Sequence, residues 1–256
     1  MTLLDALAPF LTHPMPVVAF VGGGGKSSAL FRLAEALVTA GKRVITTTTT
    51  HIASEQLALA PAHLRYTEAT AERIDAALQQ HRHLLLTDNS DPATGKVRGV
   101  PVTFISTLTQ MKLADAILVE ADGARKLPFK APAPYEPVIP PESTLVVIVV
   151  GVDVFGRALD ETNVHRPALV GALSGYPLGT QVTPDMVAQV LAHPEGGRKG
   201  IPVSAHVAVL LNKTDLLSEW APVHATVEQL HTAAGIDCIL AGALRTGEQI
   251  TCCWRR

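Results

Sequence analysis

The stretch Gly22-Gly23-Gly24-Gly25-Lys26-Ser27-Ser28 joins a glycine run to one cation and two hydroxyls. Glycine leaves its N–H bare, and at a helix start such groups turn outward where an anion can approach without meeting a Cβ. Lys26 would add charge for β- and γ-phosphates, and Ser27 a hydroxyl for Mg²⁺. Further along, Thr46, Thr47, Thr48, Thr49 and Thr50 precede His51. Threonine favours strands, yet so many hydroxyls at a strand end could also complete a Mg²⁺ shell, with Thr48 the candidate ligand. Glu120-Ala121-Asp122-Gly123 places two acids and a glycine after an apolar run. A carboxylate beside a Mg²⁺–triphosphate holds the metal directly or through water, and the Gly123 N–H could reach the γ-phosphate. Asn212-Lys213-Thr214-Asp215 follows another apolar run. A carboxylate there can accept from both N1–H and the exocyclic amino group of guanine, a donor pair adenine lacks. Last, Ala241-Gly242-Ala243-Leu244 follows the final apolar run.

These groups must be held by elements, and the chain supplies them in a regular order. The runs PVVAFV, RVITTT, HLLLTD, AILVEAD, TLVVIVVG, HVAVLLN and DCILAG read as strands. Between several of them lie segments of helical period: SALFRLAEALVTA, TAERIDAALQQ and DMVAQVLAH. Strands apolar on both faces and alternating with helices predict an α/β fold, a three-layer α/β/α sandwich with a mostly parallel sheet. In such sheets ligands sit beyond the carboxyl ends of the strands, which is where each candidate group falls. Residues 1–256 read as one domain, with a mostly helical insertion around 155–200. Thr183 and Pro184 announce the helix DMVAQVLAH, and Pro167 begins another after His165 and Arg166. Residues 124–141 are too rich in proline for regular structure, yet the segment starts at a strand's carboxyl end and carries Arg125, Lys126, Lys130 and Glu136.

Across 256 residues, 21 basic side chains face 23 acidic ones, so no overall field favours nucleic acid or an anionic membrane. The longest apolar run, Leu145 to Val150, is far short of a membrane span. A cytoplasmic protein is expected. Cys238, Cys252 and Cys253 fit neither a disulfide framework nor a familiar metal spacing, and the CCWRR tail reads as a frayed terminus.

Several resemblances sharpen these readings. The glycine loop departs from G-x-x-x-x-G-K-[ST], because Phe20 stands where a glycine would; its shorter G-x-x-G-K-S-S resembles the loop of Mur-type ligases. Glu120-x-x-Gly123 resembles the D/E-x-x-G element of nucleotide-hydrolysing switch proteins, and Asn212-Lys213-x-Asp215 the guanine-reading element of GTPases. The ordered set GGGGKSS, TTTTTH, VEADGARKLPFKAPAPYEPVIP, VHRP and LLNKTD resembles the selenium cofactor biosynthesis family of YqeC type, across nearly the whole chain. That resemblance implies a P-loop NTPase-like fold and an accessory role in maturing selenium-dependent molybdenum hydroxylases, with such a hydroxylase as client. The expectation is a Mg²⁺-dependent NTPase in which Lys26, Glu120 and Asp122 act on a nucleoside triphosphate. GTP is favoured over ATP by the guanine-reading element. Gly22, Gly23, Gly24, Gly25, Lys26, Ser27, Ser28, Gly123, Asn212, Lys213, Asp215 and Ala243 would bind it; Ser27, Thr48 and Glu120 would hold Mg²⁺. An ATP-dependent ligase or kinase, or a scaffold that binds nucleotide without hydrolysis, are the alternatives, and a homodimer is open.

Overall fold

The computed structural model describes residues 1–91, 95–233, 235–245 and 249–255. Apolar runs become strands in chain order: β1 (Val17–Gly22), β2 (Val44–Thr48), β3 (His51–Ile52), β4 (His63–Arg65), β5 (His83–Thr87) and β6 (Val97–Arg98). There follow β7 (Ala116–Glu120), β8 (Phe129–Lys130), β9 (Leu145–Gly151), β10 (Val164–His165), β11 (His206–Asn212), β12 (Cys238–Ala243) and β13 (Gln249–Arg255). Nine of these form one sheet in the order β13-β12-β11-β9-β1-β7-β2-β5-β4, parallel except where β13 pairs with β12. The pairs β10-β8 and β3-β6 stand apart as small ribbons.

The helices are α1 (Leu3–Leu7), α2 (Lys26–Thr39), α3 (Ala71–His81), α4 (Val102–Met111), α5 (Pro167–Ser174), α6 (Pro184–Ala192) and α7 (Ala221–Thr232). The period-2 alternation of β1 divides its side chains between the two faces of the sheet. Val18 and Phe20 join α1 and α2, while Ala19 and Val21 pack toward α5, α6 and α7. Helix α2 buries Leu30, Leu33 and Leu37 on one stripe, each contributing about 1.5–3 kcal/mol. On the other face α3 and α4 cover β2, β5 and β7 through Ile74, Leu78, Ile105 and Leu108. The result is the expected α/β sandwich with a mostly parallel sheet.

Topology picks out one place in this sheet. From β1 the chain passes through α2 toward β2, with β7 filling in between; β9 then lies on the other side of β1. The carboxyl end of β1 is therefore a switch point, where two loops diverge and leave a crevice. Among the described residues no helix is long and apolar enough to cross a membrane.

One local expectation is corrected. The CCWRR tail is not frayed: Cys252 and Cys253 lie in β13, paired with Ala241 and Leu240 of β12. Unsatisfied edge groups of β12 find partners there, a gain that sequence period does not reveal. Thr214–Leu216 forms a single 3-10 turn, and α7 begins at Ala221 with Pro222 in its first turn. Residues 155–200 hold α5, α6 and the short β10. Thr183 caps α6 by accepting from the Met186 N–H at 3.2 Å, and Pro184 opens the helix.

Candidate functional site

The glycine loop leaves β1 with Gly22 at φ 95° and Gly24 at φ 77°, conformations natural only to glycine. At Gly24 the backbone also presses so close to Gly151 that any Cβ would collide with its amide. The expectation that the glycine N–H groups all face an anion needs correction. Gly22 N–H donates to Asp122 Oδ2 at 3.0 Å, Gly23 N–H to the Val149 carbonyl at 2.8 Å, and Gly24 N–H to the Leu127 carbonyl at 3.0 Å. These bonds fix the loop's shape. The outward donors are instead those of Gly25, Lys26, Ser27 and Ser28, which meet no acceptor among the described residues. They open helix α2, so its dipole adds to them.

Lys26 is only 5% exposed and folds back over the loop. Its Nζ donates to the Gly22 carbonyl at 2.8 Å, lies 3.2 Å from Asp122 Oδ1 and 3.8 Å from Glu120 Oε1. Burial works to lower its pKa, but the Asp122 and Glu120 carboxylates outweigh this and hold it above the ordinary lysine value. The ammonium stays charged. Glu120 is pushed the other way from most paired acids: burial raises its pKa despite Lys26 and Ser27 nearby. A cation beside Glu120 would reverse that push.

Ser27 Oγ donates to Glu120 Oε2 at 2.7 Å and accepts from Gln56 Nε2 at 2.5 Å. The residues fit Mg²⁺: a hydroxyl and a carboxylate oxygen converge, and Asp122 Oδ1 is buried without a hydrogen-bond donor although within ion-pair range of Lys26. The Thr48 hydroxyl donates to the Glu120 carbonyl at 2.9 Å and accepts from the Thr50 N–H at 3.1 Å, which holds the strand ends in place. Thr46 and Thr47 are likewise spent inside the sheet, on His83 Nε2 at 3.0 Å and the Leu86 carbonyl at 2.8 Å.

Asn212 ties three loops together. Its Nδ2 donates to the Gly24 carbonyl at 2.8 Å, and its Oδ1 accepts from the Leu244 N–H at 3.2 Å. The turn after Ala243 is thereby fixed to the glycine loop. Lys213, at φ 68°, pairs with Asp153 at 2.8 Å, and Asp215 lies exposed in the 3-10 turn that follows.

Three groups were not legible as site residues. Gln56 enters from a 3-10 turn at Ser54–Leu59 with no motif around it. Lys130 and Glu136 come from the proline-rich segment and extend the charge chain. Lys130 lies 3.0 Å from Asp122 and 2.6 Å from Glu136, and Arg166 meets Glu136 at 2.6 Å. Burial alone would raise Glu136, but Arg166 and Lys130 hold it down at about 2. The sequence signal was the concentration of charge in a segment unable to form regular structure. Its pairing required β8 and β10 to meet, with His165 beside Lys130 in register.

The model of the family described as "YqeC protein" matches residues 18–168. "Uncharacterized protein YqeC" of Escherichia coli (strain K12) is 35% identical over 203 residues, covering 77% of this chain and 75% of that one. Among solved structures, chloroplast FtsY from Physcomitrella patens overlays with a TM-score of 0.45 and 14% identity, over 98% of this chain and 69% of that one. FtsY from Mycoplasma mycoides gives a TM-score of 0.42 and 11% identity, over 96% and 64%. Overlays at that level carry no argument here. The matched segment, by contrast, runs from β1 through the glycine loop, Glu120 to Gly123 and the charge chain as far as α5, and by that match and the E. coli relative the chain belongs to the YqeC family.

Proposed function

We propose that this chain binds a nucleoside triphosphate with Mg²⁺ and hydrolyses it, GTP before ATP, in the service of maturing another protein. The observation that carries the reading is the set of outward N–H groups at Gly25 to Ser28, beside a buried, charged Lys26 and the Ser27–Glu120 pair. Bare donors at a helix start, a fixed cation and a hydroxyl–carboxylate pair are the parts a Mg²⁺–triphosphate needs. The triphosphate would lie over the start of α2, with Lys26 released from Asp122 to meet it. Mg²⁺ would supply charge neutralisation between the phosphates, held by Ser27 and Glu120. Asp122, linked to Gly22 and Lys130, would position the loop and accept a proton from attacking water. Asn212 fixes the base end, and Asp215 would read guanine.

The E. coli relative's name gives no activity, so the client rests on the family resemblance: a selenium-dependent molybdenum hydroxylase, in whose cofactor insertion the nucleotide acts as a timed switch. An ATP-dependent ligase or kinase is the competing reading, supported by the short glycine loop. Steady-state phosphate release with GTP and Mg²⁺ tests the hydrolytic part. Glu120→Gln should keep nucleotide affinity within a few-fold and lose Mg²⁺-dependent turnover by roughly 100-fold, whereas Asp122→Asn should retain a Mg²⁺ requirement. Loss of the Mg²⁺ requirement in the Asp122 variant alone would move the metal acid to that residue.

A further inference from the structure

The threonine run ends in His51, which the nucleotide reading leaves unused. His51 and Ile52 form β3, paired antiparallel with β6 so that Ile52 lies opposite Val97 and His51 opposite Arg98. Side chains alternate along such a ribbon, and burial divides accordingly: Ile52 and Val97 are buried, while His51 and Arg98 are exposed side by side. The ribbon is pressed onto the end of β2. Gly99 N–H and Val100 N–H donate to the Thr50 and Thr48 carbonyls, and a Cβ at Gly99 would strike both carbonyl oxygens. Asp88, just past β5, is tied to the same ribbon, its N–H donating to the Arg98 carbonyl at 2.8 Å.

Between this ribbon and the proline-rich segment lies a cleft of about 560 Å³, walled chiefly by Thr50, His51, Asp88, Arg98, Tyr135 and Glu136. That volume suits a small molecule. The cleft opens beside the candidate nucleotide site, since the Thr49 N–H in its wall donates to the Glu120 carbonyl at 3.1 Å. Its charges are of two kinds. Glu136 is already held by Lys130 and Arg166, at 2.6 Å each. Arg98 and Asp88 instead form no ion pair and no side-chain hydrogen bond among the described residues, with each other or with any neighbour. An unpaired guanidinium and an unpaired carboxylate in one cleft each call for a partner of opposite sign. Tyr135 adds a ring that is 74% exposed, with the Arg166 guanidinium 5.8 Å from its centroid.

We infer that this cleft is a binding site for a small zwitterion, of which a free α-amino acid is the simplest class. The ligand's carboxylate meets the Arg98 fork, with His51 and the Thr50 hydroxyl at hand, its ammonium meets Asp88, and its side chain lies toward the Tyr135 ring. A purely anionic ligand would leave Asp88 opposed, and a purely cationic one Arg98. The inference stands apart from the nucleotide reading, which assigns none of these groups to phosphate, base or Mg²⁺.

The test is calorimetric titration with each of the twenty common L-amino acids, then with the deamino and decarboxy analogues of the tightest binder. Parent, Arg98→Gln, Asp88→Asn and Lys26→Ala are compared; Arg98 is exposed and Asp88 half-buried, so the first two changes leave the core intact. At least one amino acid should bind the parent with a Kd of about 1 mM or tighter, and losing its amino or its carboxyl group should weaken it about tenfold or more. Arg98→Gln and Asp88→Asn should each cost about tenfold while changing Mg²⁺–GTP affinity by less than about twofold, and Lys26→Ala should leave the amino acid bound. No binding to the parent up to about 20 mM overturns the inference. So does binding that survives either Arg98→Gln or Asp88→Asn, or that is lost with Lys26→Ala, which would place the amino acid at the glycine loop. A parent that binds an amino acid in the expected way but ignores Mg²⁺–GTP sinks the nucleotide reading alone.

Discussion

Lys26 illustrates how residue-scale physics shapes the site. A lysine this buried tends to shed its proton, but two carboxylates and a carbonyl keep it charged. The same carboxylates compete with any incoming phosphate, so binding must exchange one set of charge-assisted bonds for another. Ser27 is similarly committed to Glu120 and Gln56. A serine hydroxyl has one proton and two lone pairs, so with the proton directed to Glu120 and one lone pair taken by Gln56, one lone pair is left for a metal. Gln56→Ala should therefore leave Mg²⁺–nucleotide binding within about twofold in a titration against the parent; a tenfold loss would make Gln56 a contact to the ligand. Asp215 separates the base readings. Asp215→Asn should weaken GTP by about 2–4 kcal/mol, strengthen xanthosine triphosphate and scarcely alter ATP. Competition binding with all three nucleotides checks this, and equal losses for GTP and ATP would leave Asp215 a structural cap.

At the scale of elements, much of the arrangement was legible because local and global preferences agree. The β1 run, the glycines and the α2 stripe each point to strand, turn and helix, and Thr183-Pro184 starts α6 where such a pair should. Legibility failed where pairing is long-range. β13 is visible only once β12 needs a partner, and the Lys130–Glu136–Arg166 chain only once β8 and β10 pair, with Val164 opposite Phe129 and His165 opposite Lys130. The threonine run divides for a related reason: Thr47 and Thr48 spend their hydroxyls on neighbouring strands, which no spacing rule distinguishes from hydroxyls left to a site. Loop precision follows from Gly24. Gly24→Ala must relieve a backbone collision with Gly151 at a positive φ, and should cost roughly 3 kcal/mol or more of stability. Urea unfolding at constant m would show it; an unchanged midpoint would mean the loop yields without cost.

The stability of the whole molecule is coupled to pH through buried histidines and carboxylates. His83, buried against Thr46, has its pKa lowered to about 4 by burial, and His165 is lowered to about 4 as well. Unfolded histidines titrate near 6.5, so between about 6.5 and 4 the unfolded chain binds more protons and stability falls as pH is lowered. His83 alone contributes on the order of 3 kcal/mol to that fall. Glu136 adds to it further down, since its stabilisation is present above the ordinary carboxyl range and is lost as pH drops through about 2. Glu120, raised by burial, acts in the opposite direction. Thermal midpoints measured from pH 7 to pH 4 should decline, and His83→Gln should flatten the curve; a flat parent curve would contradict the assigned histidine environments.

The central claim is that the outward N–H groups at the start of α2, with Lys26, form a triphosphate site. Its most direct test is calorimetric titration of GTP and ATP, each with Mg²⁺, into the parent and into Lys26→Ala at pH 7.5. The account predicts saturable binding to the parent, tighter for GTP by about tenfold or 1.4 kcal/mol, and its loss in a Lys26→Ala chain that still unfolds cooperatively. Equal binding to both proteins, or none to the parent, would contradict it.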